Sequence, residues 1–106
     1  MSRFSLDDLA ATIAARAGST AEQSYTKSLL DAGPARAAKK FGEEAVEVVI
    51  AAIEGDRTDI VKESADVLYH LVVLLHSRDI SVDEVMEELK HRTAQSGHAE
   101  KAGRGS

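Results

Sequence analysis

Two stretches decide the fold: Lys39-Lys40-Phe41-Gly42-Glu43-Glu44-Ala45-Val46-Glu47-Val48-Val49-Ile50, and Glu63-Ser64-Ala65-Asp66-Val67-Leu68-Tyr69-His70-Leu71-Val72-Val73. Each repeats its apolar residues at helical spacing, so each reads as a helix. Each also sets carboxylates among Val, Leu, Ile and Ala. Carboxylates beside an apolar core are costly unless a positive charge compensates them. For a set comprising Glu43, Glu44, Glu47, Glu63 and Asp66, the simplest compensation is a divalent metal. On a helical wheel Glu43, Glu47 and Lys40 share one arc, with Glu44 at its border. Phe41, Ala45, Val46, Val48, Val49, Ala52 and Ile53 form a wide apolar face opposite. On the second stretch Glu63, Asp66 and His70 line one narrow stripe, and the remaining surface is apolar nearly all round, the pattern of a buried helix.

Pro34 after Gly33 suits the first position of a helix, which predicts a helix over 34–53. Glu54-Gly55-Asp56 is a short break, after which Asp56 or Thr58 caps a helix reaching Ser77. A break this short makes the two helices antiparallel neighbours. Glu47 then stands level with Glu63 and Asp66, so the two acidic clusters meet across one groove. Ser5 with Asp8 forms a capping box for a helix over 5–17, whose stripe is Leu6, Leu9, Ala10, Ile13 and Ala14. Ser81 with Glu84 does the same for a helix over 82–94. Residues 18–33 read as a connection with one helical turn near Tyr25 to Leu30. Gln95 to Ser106, small, charged and Gly-containing, reads as a mobile tail. The expectation is an all-α bundle of about four helices forming one domain over 1–94. The apolar surround of the 58–77 helix exceeds what three short helices cover, which predicts completion of the bundle by homodimerisation.

Composition narrows the function. A chain of 106 residues holds at most one domain. It has no Cys, which excludes disulfides and thiolate metal sites. The aromatics are Phe4, Tyr25, Phe41 and Tyr69, so the core must be aliphatic. A formal charge of −5 argues against nucleic-acid binding through the phosphate backbone, though not against a small polyphosphate held by metal. The longest apolar run, Leu71 to Leu75, is too short to span a bilayer, and no stretch reads as a signal peptide. A cytoplasmic, membrane-free protein is expected.

All-oxygen ligation favours a hard ion, Mg²⁺ or Mn²⁺, that shares phosphate oxygens. His70 has three readings: a core histidine bonded to a carboxylate, an orienting group behind the ligands, or a ligand. The orienting role is favoured. Lys40 faces the acidic stripe and is either a phosphate contact or a salt-bridge partner of Glu43 or Glu44. Lys27, Arg36, Lys39 and Arg92 are further cations for phosphate. Tyr25 and Thr26 are candidates for base or ribose contact, with packing of the loop onto the bundle as the alternative reading for Tyr25.

Ser24-Tyr25-Thr26 with Lys27 and Leu30, Gly33-Pro34, Lys39 to Glu47, Ile50-Ala51-Ala52, Glu63 to Leu71, Arg92, Ser96-Gly97 and Glu100-Lys101 follow one another in an order that resembles the phosphoribosyl-ATP pyrophosphohydrolase family. That family lies within the MazG-like all-α nucleotide pyrophosphohydrolases. The acidic pattern alone indicates only the superfamily; the Ser-Tyr-Thr segment, the Tyr-His pair and the tail carry the finer resemblance. The resemblance implies a homodimeric helical bundle that uses Mg²⁺ to hydrolyse phosphoribosyl-ATP to phosphoribosyl-AMP and pyrophosphate, the second step of L-histidine biosynthesis. Carried over, it makes Glu44, Glu47, Glu63 and Asp66 metal ligands. Glu43 is then a ligand or a base, with Glu43 and Glu44 as the catalytic pair and Lys40, Lys27, Tyr25, Thr26 and Arg92 as substrate contacts.

Overall fold

The computed structural model describes residues 3–20 and 24–94. They form five α-helices: α1 Leu6–Ala17, α2 Tyr25–Ala32, α3 Pro34–Glu54, α4 Arg57–Ser77 and α5 Val82–Thr93. The expected tail and the Ser96-Gly97 and Glu100-Lys101 pairs lie outside the described residues.

Local chemistry accounts for each boundary. Ser5 and Asp8 make the expected capping box of α1, and Ser81 and Glu84 that of α5. For α4 the cap is Asp56, in a reciprocal box with Asp59. Pro34 opens α3 behind Gly33, whose φ of 96° lies where an L side chain is strained. Asp79 takes the left-handed position after α4 at φ 58°, and Ile80 N–H closes back on the Leu75 carbonyl at 2.9 Å.

One element departs from expectation. Where the sequence suggests a single turn, α2 is a full helix of eight residues. Ser24 caps it by accepting from Lys27 N–H, and Thr26 and Leu29 are buried. Its buried face includes a threonine, so the apolar period that marks a helix is broken in the sequence. The all-α bundle expected from the sequence therefore has five helices among the described residues, α2 being the addition to the four expected.

Antiparallel α3 and α4 form the main packed pair, and α1 and α2 lean on them. The buried core takes small or medium residues from every helix: Ile13, Leu29, Ala37, Val72, Val73 and Val82. Ala37 and Ala51 are the buried positions of α3. The wide apolar face predicted for α3 is not covered within one chain: Val46, Val49, Ile50 and Ile53 are exposed. Likewise α4 is not wrapped all round, since Val61 and Leu68 are exposed and His70, Val72 and Val73 are its buried residues. Among the described residues no helix is long and apolar enough to cross a membrane.

Candidate active site

The α3–α4 groove collects the acids. One carboxylate oxygen each from Glu44, Glu63 and Asp66 lies within 4.8 Å of the others. Glu44 comes from the middle of α3, and Glu63 and Asp66 are one turn apart on α4, so the antiparallel pairing brings three carboxylates to one point. Glu44 and Glu63 are half-buried there. The groove runs on toward the α3–α4 turn as a cavity of about 280 Å³ lined by Glu47, Ile50, Ala51, Glu54, Gly55, Asp59 and Glu63. Glu47 thus stands one turn along from the three-carboxylate point, beside Glu63. Glu43 is exposed and outside the three-oxygen group.

The crowding has an electrostatic signature. Burial raises the pKa of Glu63, and the neighbouring charges of Asp66, Glu47, Glu44 and Asp59 raise it further. Among the described residues, the cation paired with a groove carboxylate is Lys40, whose Nζ is 3.6 Å from Glu44 Oε1. One ammonium cannot balance so many carboxylates. The donor set is therefore all oxygen, convergent and under-compensated, which fits a hard divalent cation.

Beside the acids, the first turn of α2 docks on α4. His70 is buried, and its Nδ1 lies 2.7 Å from the Asp66 carbonyl. A carbonyl only accepts, so Nδ1 carries the proton. Nε2 then accepts from the Tyr25 hydroxyl at 3.2 Å. Both ring nitrogens are engaged, and the bond is to the Asp66 main chain rather than to its carboxylate. At the adjacent position on each helix, the Thr26 and Tyr69 hydroxyls are hydrogen-bonded. The Tyr25 and Tyr69 rings stack at 16° with centroids 6.3 Å apart, and His70 meets both edge-on. Burial raises the pKa of Tyr25, Lys40 opposes the rise, and Tyr69 and Glu44 add to it, which puts Tyr25 at the rim of the charged groove.

The other sequence candidates fall as follows. Thr26 is 1% exposed, with its hydroxyl turned to Tyr69. Lys27 pairs with Asp31 at 2.7 Å. Arg92 is exposed near the end of α5 and pairs with Glu88 on its own helix at 3.8 Å. Tyr69 enters the sequence reading only through the Tyr-His pair of the resemblance, and the structure adds it to the site through its bond to Thr26 and its stack on Tyr25.

Residues 6–93 match the family model described as phosphoribosyl-ATP pyrophosphohydrolase. The chain belongs to this family. It is 60% identical over 104 residues to phosphoribosyl-ATP pyrophosphatase 1 of Rhodopseudomonas palustris, covering 98% of this chain and 97% of the relative. The phosphoribosyl-ATP pyrophosphatase of Methylobacterium radiotolerans gives the same identity and coverage. That of Allorhizobium ampelinum is 54% identical over 104 residues, 98% of this chain and the whole of the relative. The family match spans all five helices, so it includes both the acidic groove and the docked α2.

Proposed function

We propose that this protein hydrolyses phosphoribosyl-ATP to phosphoribosyl-AMP and pyrophosphate, the second step of L-histidine biosynthesis, in the cytoplasm. The observation that carries the reading is the convergence of Glu44, Glu63 and Asp66 in a chain that belongs to the phosphoribosyl-ATP pyrophosphohydrolase family.

Glu44, Glu63 and Asp66 would hold Mg²⁺, or Mn²⁺ in its place, with Glu47 as a fourth oxygen donor along the groove. When bound, the cation supplies charge neutralisation on the triphosphate and Lewis-acid polarisation of its oxygens. Lys40 lies at the same groove, and its ammonium contacts phosphate once Glu44 is engaged elsewhere. Lys27 and Arg92 are the further cations of the substrate set. Tyr25 offers a half-exposed ring at the rim, suited to a base or ribose. Attack of water breaks the anhydride link between the α- and β-phosphorus and needs a carboxylate to orient the water and take its proton. Glu43 and Glu44 are the candidates for that base. His70 sits behind Asp66 and holds Tyr25 through Nε2.

The exposed Val46, Val49, Ile50 and Ile53 of α3 and Val61 and Leu68 of α4 support a homodimer, since apolar faces this extensive on a small domain are covered by a second subunit.

The test is pyrophosphate release by the purified protein with Mg²⁺. Release from phosphoribosyl-ATP faster than from ordinary nucleoside triphosphates is expected. The reverse order would move the protein to another nucleotide within the superfamily.

A further inference from the structure

Two side-chain hydrogen bonds at consecutive positions tie the first turn of α2 to α4: Tyr25 to His70 and Thr26 to Tyr69. The two bonds differ in kind. Tyr25 is half-exposed, with its hydroxyl on the imidazole that backs Asp66, whereas Thr26 is buried. Thr26 therefore acts on a ligand only by holding the helix that carries Tyr25. Its partner Tyr69 also stacks flat against Tyr25, with the rings inclined by 16°. Tyr69 thus controls both the height of the Tyr25 ring, through Thr26, and its tilt, through the stack.

The far turn of α2 is held by Leu29 in the core and by packing on α1 and α3, so the two bonds to α4 act on its first turn. The helix itself is too short to be stable alone. A single residue, Gly33 at φ 96°, joins it to α3. We propose that Tyr69 is a positioning residue that sets Tyr25 to receive the nucleoside end of the substrate, while the carboxylates and Lys40 serve the pyrophosphate end. This inference rests on the proposed substrate and deepens it, because it divides the site into two ends with separate supports.

The division can be read by inhibition with the two products. Tyr69→Phe keeps the ring stack and removes the bond to Thr26; Thr26→Val removes the same bond from the other side with little change in volume. Loss of one hydrogen bond of ordinary worth corresponds to about fivefold. In each variant the KM for phosphoribosyl-ATP and the inhibition constant of phosphoribosyl-AMP should rise together by about fivefold. The inhibition constant of pyrophosphate should hold, and kcat should change less than KM. The double variant should add nothing to either single one, because both remove one bond.

Three results would overturn the proposal. One is a lower melting temperature with KM unchanged, the mark of a merely structural bond. Another is an equal rise for both products, which would mean the whole site loosens. The third is an additive double variant. Absence of phosphoribosyl-ATP turnover by the unaltered protein would instead overturn the proposed function, and this inference with it, so the two failures are distinct.

Discussion

The Tyr25 hydroxyl lies 3.2 Å from Nε2 of His70, and the same imidazole reaches the Asp66 carbonyl at 2.7 Å through Nδ1. One buried ring therefore ties the first turn of α2 to the turn of α4 that carries an acidic residue of the groove. Tyr25→Phe should remove a single hydrogen bond and cost about 1 kcal/mol of stability. For a domain of this size that is a fall in melting temperature of roughly 4–8 °C. Calorimetry of the two proteins side by side checks it, and an unchanged melting temperature would mean the contact does not hold α2.

The pKa of Glu63 predicts a pH dependence with a definite sign. Its folded-state value is raised above 4.5 by burial and by the surrounding carboxylates. The folded state therefore favours the protonated acid. Its contribution to stability is full below the unfolded pKa and is lost as pH rises through the raised folded value. Without metal, the unaltered protein should lose stability relative to Glu63→Gln as pH is raised from below 4.5 to neutral. Added Mg²⁺ should reverse the order at neutral pH, because the unaltered groove binds the cation more tightly than the variant does. Thermal melts with and without chelator across this range test both halves.

Two backbone positions predict opposite outcomes. Asp79 sits at φ 58° after α4, where a side chain is strained and Gly is not. Asp79→Gly should be stabilising by about 0.5 kcal/mol, the relief being partly offset by the greater freedom of the unfolded chain. Gly33 has φ 96° and ψ 171° at the junction of α2 and α3, a region open to glycine almost alone. Gly33→Ala should cost about 1–3 kcal/mol. Denaturant unfolding of each variant, with the midpoint and slope read separately, checks the pair.

Much of this architecture was legible in the sequence because its signals are local. Capping boxes at Ser5 and Ser81, the Gly33-Pro34 opening and the break at Gly55 depend on residues three or four apart, so α1, α3, α4 and α5 could be read directly. The helical period also placed Glu63 and Asp66 on one stripe. It could not give the axial register of α3 against α4 to better than a turn, and the structure brings Glu44, rather than Glu47, to the three-oxygen point. The α2 helix escaped because Ser24, Thr26 and Ser28 break the apolar pattern, and the two side-chain bonds that hold its first turn come from residues more than forty positions away. For the same reason the Thr26–Tyr69 bond had no local signal.

Glu44, Glu63 and Asp66 together make the proposed cation site. Titration of the purified protein with Mn²⁺, followed by the loss of the free-ion paramagnetic resonance signal, measures it without reference to any substrate. Glu63→Gln and Asp66→Asn should each weaken binding by about tenfold or more, as loss of a charged oxygen ligand requires. The same variants should lose pyrophosphate release. Mn²⁺ affinity equal to that of the unaltered protein in both variants would contradict the account.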